Sequence, residues 1–263
     1  MEESRAAPKL PLVIGLTVVV AISAVLGVYY WLERAPTPPP APPAATTEPV
    51  PATPVAPPAP AAASPDADHT TPLDGSDAKV LDALSGLQGW SAQALRLLLT
   101  QDLIRHIVAT VDALPREKLP AQAVPLHPVP GSLLVVSQGA RSSIAPTNAR
   151  RYDPYVKAAQ ALDMRELAQV YRHFRPQFQQ AYRELGYPQG DFNARLIEVI
   201  DDLLQAPAPK DAPEVVAPGV MYHYVDPELE ALPAGQKILV RVGPANEAIL
   251  KSLLRQLRQA VAP

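Results

Sequence analysis

Two polar runs carry the side chains best suited to hold a ligand. Arg150-Arg151-Tyr152-Asp153-Pro154-Tyr155 sets two guanidiniums and two phenols where an Asp-Pro pair opens a helix. Backbone amides at a helix start, with arginines beside them, can hold a carboxylate or a phosphate. Asp226, Glu228, Lys237, Arg241 and Asn246 form the second run, nearer the C-terminus. Ion pairs that only join helices would use the same residue types. The expectation is that Arg105, Arg151, Tyr152, Tyr222, Asp226, Lys237, Arg241 and Asn246 line one groove beside a two-stranded sheet. Arginine grips a carboxylate with a two-pronged fork, and tyrosine adds a flat apolar face and a hydroxyl. Such a groove suits a peptide carboxylate, from a partner's chain end or a cell-wall stem.

The other reactive groups form no catalytic pattern. His69, His106, His127, His173 and His223 include no pair four apart on one helix, so no HExxH zinc site arises. Ser76-Asp77-Ala78-Lys79 matches the SxxK of penicillin-binding serine enzymes, but the partner SxN and KTG motifs are missing. A serine helix cap explains it more simply. GxSxG, Walker and GxGxxG loops are absent. The chain has no cysteine, which excludes disulfides, thiolate metal sites and thiol nucleophiles. No cofactor or metal is implied. A carboxylate pair at Asp226 and Glu228 could serve a periplasmic cell-wall hydrolase; a capping Asp226 and a solvated Glu228 is the simpler alternative.

These groups must be positioned by a mainly α domain over residues 73–263, with a minimal two-stranded β element. Ser76 is expected to cap a short helix ended by Gly86, and Ser91 another that runs towards Leu114 with a break near Thr100. The spacing of Leu103, Ile104, Ile107, Val108, Val111 and Leu114 gives its apolar stripe. Asp153-Pro154 opens a helix to about Leu162. Asp163 with Glu166 resembles a capping box. The stripe Met164, Leu167, Tyr171, Phe174, Phe178, Ala181, Leu185 crosses Pro176 and predicts one long, kinked helix ended by Gly186. Further helices are expected over about 192–204, after Asp226-Pro227, and over about 244–261. Leu133 to Ser137 and Val220 to Val225 are the strand candidates, expected to pair with each other. Residues 235–242 read equally as strand or helix.

Upstream of this domain the composition changes. Leu10 to Leu32 is 23 residues without a formal charge. As a helix it would span roughly 34 Å, enough for a hydrocarbon core of about 30 Å. Tyr29, Tyr30 and Trp31 sit at one end, where amphipathic rings prefer the headgroup layer. Residues 10–32 are therefore expected to be a transmembrane helix, with 1–9 cytoplasmic by the positive-inside rule and the domain periplasmic. Residues 33–72 form a Pro/Ala-rich linker, expected to be disordered. Ala35 to Pro72 holds 14 of the chain's 33 prolines, too many for packed helix or sheet. An extended polyproline stalk of this length could reach on the order of 100 Å. Taking Arg5, Lys9 and Arg34 out of 23 basic residues, and Glu2, Glu3, Glu33, Glu48, Asp66 and Asp68 out of 26 acidic ones, leaves the domain 20 of each. With no net field, a nucleic-acid partner is not expected.

The motifs Arg105-His106-Ile107-Val108 with Asp112 to Pro115, Arg151 to Tyr155, Ala181 to Pro188, Phe192-Asn193, Tyr222 with Asp226 to Glu230, and Gln236-Lys237 with Arg241 to Pro244 and Asn246 recur together in one family. By them the chain resembles single-pass envelope proteins of Gram-negative bacteria that share domain of unknown function 3014. Val242 stands where the family pattern has methionine. The resemblance implies architecture and location only, an inner-membrane envelope protein with no assigned activity; an envelope protein or cell-wall peptide is separately expected as partner. The expected function is a membrane-anchored periplasmic binding or scaffolding domain without catalysis.

Overall fold

The computed structural model describes residues 67–219 and 221–262. The span expected at residues 10–32, and the linker as far as Asp66, lie outside the described residues. Among the described residues no helix is long and apolar enough to cross a membrane. The domain is mainly helical. Its helices are α1 (Asp77–Ser85), α2 (Ala92–Leu97), α3 (Leu103–Ala113), α4 (Asp153–Gln160), α5 (Met164–His173), α6 (Arg175–Glu184), α7 (Phe192–Leu204), α8 (Pro227–Glu230), α9 (Ala234–Arg241) and α10 (Pro244–Val261). A 3-10 helix, Pro146–Tyr152, leads into α4, so Asp153 takes the first helical position rather than the cap. The residues that read equally as strand or helix fold as α9.

Apolar periodicity explains the core. α3 is buried along Leu103, Ile104, Ile107, Val108 and Val111, and packs against α6 and α7. α10 lies across α5, α7 and α4 through Leu250, Leu253, Leu254 and Leu257. Several caps form as expected: Ser91 accepts from the Ala94 amide, Asp163 from Arg165 and Glu166, and Asp226 from Glu228. Ser76 is buried but makes no cap. Its neighbour Asp77 accepts from the amides of Asp102 and Leu103 at 2.7 and 2.9 Å, and so caps α3 from a different helix. Lys79 turns to Thr71 and Asp68, so no Ser-Lys pair assembles.

Two expectations are corrected. α5 and α6 are separate helices, with Phe174 between them. Pro176 offers no amide and disfavours helical backbone just before it. Tyr171, Phe174 and Phe178 stay buried across the break, which is why the stripe reads as continuous. The expected pairing of strands near 133–137 and 220–225 is replaced by two local ribbons. β1 (Val135–Gln138) pairs with β2 (Arg141–Ile144), and β3 (Val215–Val216) with β4 (His223–Tyr224), both antiparallel. Gly139, at φ +63°, closes β1–β2 in a two-residue turn, and such a short loop costs far less closure entropy than one of some eighty residues. A bridge between Ser143 and Glu214, an Arg141–Glu214 ion pair and the Ile144 amide on the Pro213 carbonyl join the ribbons.

The ribbons cover a second, smaller core of Ile144, Val215, Tyr224 and Val240. At the opposite end, the domain's contacts among the described residues begin at Asp68, inside the segment the sequence assigns to the linker. Its amide donates to the His173 carbonyl at 2.8 Å, and the Gln177 amide group donates to the carbonyls of Asp68 and Thr71. Arg172, beside His173, donates to the Ala260 carbonyl at the C-terminal end of α10.

Candidate functional site

The one-turn helix α8 brings Glu230 back onto β4. Its carboxylate accepts from the Tyr224 amide at 2.8 Å, meets His223 Nδ1 at 3.1 Å, and accepts from Lys237 Nζ at 3.4 Å. Burial alone would raise the Glu230 pKa. The Tyr224 amide, His223 and Lys237 outweigh it and hold the carboxyl below its usual range. Lys237 is buried on α9, so this pair is shielded from solvent on the lysine side. The Tyr224 hydroxyl donates to the Lys237 carbonyl, and burial pushes this phenol up to about 12.

One turn beyond Lys237, Arg241 sits over the Tyr224 ring at 5.4 Å and donates to the Tyr222 carbonyl at 3.2 Å. Asn148, fully buried in the 3-10 helix, links this part to the Arg-Tyr run. Its side chain donates to the Arg241 carbonyl and accepts from the Leu134 amide and from Arg151. Arg151 also donates to the carbonyls of Pro130 and Gly131. Tyr152 is buried next to it; burial raises its pKa, against the opposing charges of Arg151 and Arg241. Asn246 donates to the carbonyls of Ala149 and Val242, pinning the start of α10 to the 3-10 helix.

Arg151, Tyr152, Tyr222, Lys237, Arg241 and Asn246 therefore meet in one network beneath the ribbons. Two residues of the expected groove stand apart. Arg105 pairs with Asp74, Asp102 and Glu184 at 2.6, 3.1 and 3.1 Å, beside an open cleft of about 570 Å³ that His106, Gln122 and Leu185 also line. Its position on α3 faces α6, not α9. Asp226 is exposed and spends its carboxylate on the Glu228 amide at 2.8 Å, while Glu228 is itself exposed. These two acids do not face each other across a cleft, as a glycosidase pair must.

The sequence reading did not single out Asn148, which carries no periodic signal. It also passed over Glu247, although this acid continues the α10 apolar stripe three residues before Leu250, and an acid in that position is a visible mark. Glu247 lines a cavity of about 350 Å³ between the end of β2, the loop at Pro209 to Pro213 and the α9–α10 junction. Among the described residues no group of three or more His, Asp or Glu is placed to hold a metal ion.

The site is thus a buried polar network that fastens a small β-layer to a helical body, with a cavity at its edge. The chain belongs to the DUF3014 family: the family model described as "Protein of unknown function (DUF3014)" matches residues 103–258, from the start of α3 into the last turn of α10. Comparison with the curated proteins and with the solved structures finds no match.

Proposed function

We propose that the protein is a membrane-anchored periplasmic binding or scaffolding domain that recognises a protein or cell-wall partner and catalyses no reaction. The observation that carries this reading is the cavity of about 350 Å³ at the edge of the network, lined by Arg241, Glu247 and the exposed loop residues Lys210 and Asp211. A concave, largely apolar cavity with a few polar groups is the usual form of a binding site. Two further points support it. Asp226 and Glu228 are engaged in capping or solvated, which leaves the wall-hydrolase alternative without its carboxylate pair. The uncharged Leu10 to Leu32 segment and the Pro/Ala-rich linker suit a tethered module.

The test is crosslinking in intact cells with a photoreactive residue in place of exposed Lys210, at the cavity mouth. Recovery of a defined protein or wall fragment is the expected result; recovery of only lipid and the protein itself would refute the reading. Location is tested separately. Because the chain has no cysteine, an Ala212→Cys variant gives a single thiol. Labelling by a membrane-impermeant maleimide in cells with a permeabilised outer membrane and an intact inner membrane is expected, and its failure would place the domain on the other side.

A further inference from the structure

The contacts of Ser143 and Ile144 with Glu214 and Pro213 line the two ribbons up in the order β1, β2, β3, β4. Pairing then sets two rows on the side turned away from the second core, Val136–Ser143–Glu214–Val225 and Gln138–Arg141–Val216–His223. Leu134, two residues before Val136, shares that side. Among the described residues six large hydrophobic side chains are exposed. Four of them gather here: Leu134 and Val136 at 43 %, Val216 at 50 % and Val225 at 53 %. The same face carries a cross-strand ion pair, Arg141 with Glu214 at 3.4 Å, in which Arg141 stays 80 % exposed. We propose that a second copy of this chain packs on this face, ribbon layer against ribbon layer, as a two-fold homodimer. The face lies outside the cavity, and the contact needs no ligand there.

Charge and area select the occupant. A two-fold axis makes one patch meet itself. An axis lying between the layers, and crossing the Arg141–Glu214 pair at right angles, sets Arg141 of each copy over Glu214 of the other. Each exposed pair then becomes half of a group of four alternating charges, while a partner of one sign finds no surplus to meet. Around that group, layers stacked about 10 Å apart bring the aliphatic side chains of both copies into contact. Four half-exposed Leu and Val side chains offer on the order of 300 Å², the size of the largest apolar patch on an ordinary monomer. Stable complexes bury about 800 Å² on each partner, so this contact falls in the weak, transient class. Anchoring in one membrane, as proposed above, would raise the effective concentration of the copies for one another.

The test is sedimentation of the full chain in detergent micelles over a range of concentrations. Self-association with a dissociation constant of about 10 μM to 1 mM is expected for a contact of this size. Arg141→Glu alone and Glu214→Arg alone each set like charges opposite one another, and each should weaken association at least about tenfold. A one-to-one mixture of these two variants should restore it, because opposite charges then face each other between unlike copies. Val216→Lys should weaken association with every partner. All three positions are at least partly exposed, so the melting temperature should not move. No self-association of the unaltered chain, association untouched by Val216→Lys, or a mixture no tighter than either single variant would each overturn the proposal. A partner crosslinked at Lys210 in cells would survive all three results, so the two readings fail separately.

Discussion

Asp112 is the most consequential charge in the helical core, and replacing it with alanine gives a calculable loss. It lies near the end of α3 with its side chain only 3 % exposed. It pairs with Arg116, stands 3.3 Å from Arg195 of α7, and accepts from the Tyr187 hydroxyl at 3.2 Å. Removing one partner of a buried pair costs about 3–5 kcal/mol. Two facts pull the figure to the lower end. Arg116 is 56 % exposed, so its share is screened, and Arg195 keeps bonds to Glu198 and to the Asp112 carbonyl. The expected loss is about 3 kcal/mol. At about 2–4 °C per kcal/mol for a domain of this size, the melting temperature should fall by about 6–12 °C. Circular dichroism melts of the full chain at pH 7 measure it, with Arg116→Ala as control, expected below about 1 kcal/mol. A fall under about 2 °C for Asp112→Ala, or equal losses in both variants, would show that burial of the acid is not what sets the energy.

Arg151→Ala frees the carbonyls of Pro130 and Gly131 and one bond to Asn148, so it should cost about 1.5–3 kcal/mol in a thermal melt; a change within about 0.5 kcal/mol would mean that Arg151 serves recognition alone. Gly235→Ala puts a Cβ 2.5 Å from Leu203 Cδ2 and 3.1 Å from Leu114 Cδ2, which predicts an overpacking loss of about 1–3 kcal/mol by urea denaturation. At high pH the sign follows from Tyr224, whose folded pKa lies above its unfolded value near 10: its stabilising share is whole below about pH 10 and is lost as pH rises to about 12, and Tyr224→Phe should flatten that part of the curve. At low pH the order reverses. The Thr71 and Thr70 hydroxyls depress Asp68, and Arg258 depresses Asp201, so both contribute stability above about pH 4 that disappears on acidification; Asp201→Asn should make the acid limb shallower.

Much of the helical frame was legible because its signals are local. Leu103 to Val111 and Asp163 with Glu166 each announce a helix within one or two turns. The failures needed information from farther away. Pro176 breaks a stripe that the buried rings of Tyr171, Phe174 and Phe178 carry through unchanged, so periodicity could not reveal the division. β2 contains Arg141, Ser142 and Ser143, which give no strand pattern. Within the site, the tyrosines and arginines were visible by type. Arg105 was not separable from them, because its true partners, Asp74 and Glu184, lie 31 and 79 residues away. Asn148 owes its place to two backbone groups, the Leu134 amide and the Arg241 carbonyl, and to the Arg151 guanidinium, a combination that no local pattern encodes.

Among the described residues the N-terminal attachment begins at Asp68, beside the C-terminal end of α10, whereas the cavity opens at that helix's first turn. The two points lie about 27 Å apart along the helix axis, taking 1.5 Å per residue over 18 residues. A pull between Asp68 and the loop at Pro209 to Pro213 would therefore run lengthwise along α10. The seams with α5 and α7 would be sheared, so that the contacts of Leu250, Leu254 and Leu257 share the load rather than opening one after another. The attachment of residues 68–71 would yield first, since it hangs on the His173 carbonyl, the Gln177 side chain and the exposed Lys79 side chain. The fold thus has the layout of a mechanical coupler, with a firm axis along α10 and a soft joint at residues 68–71.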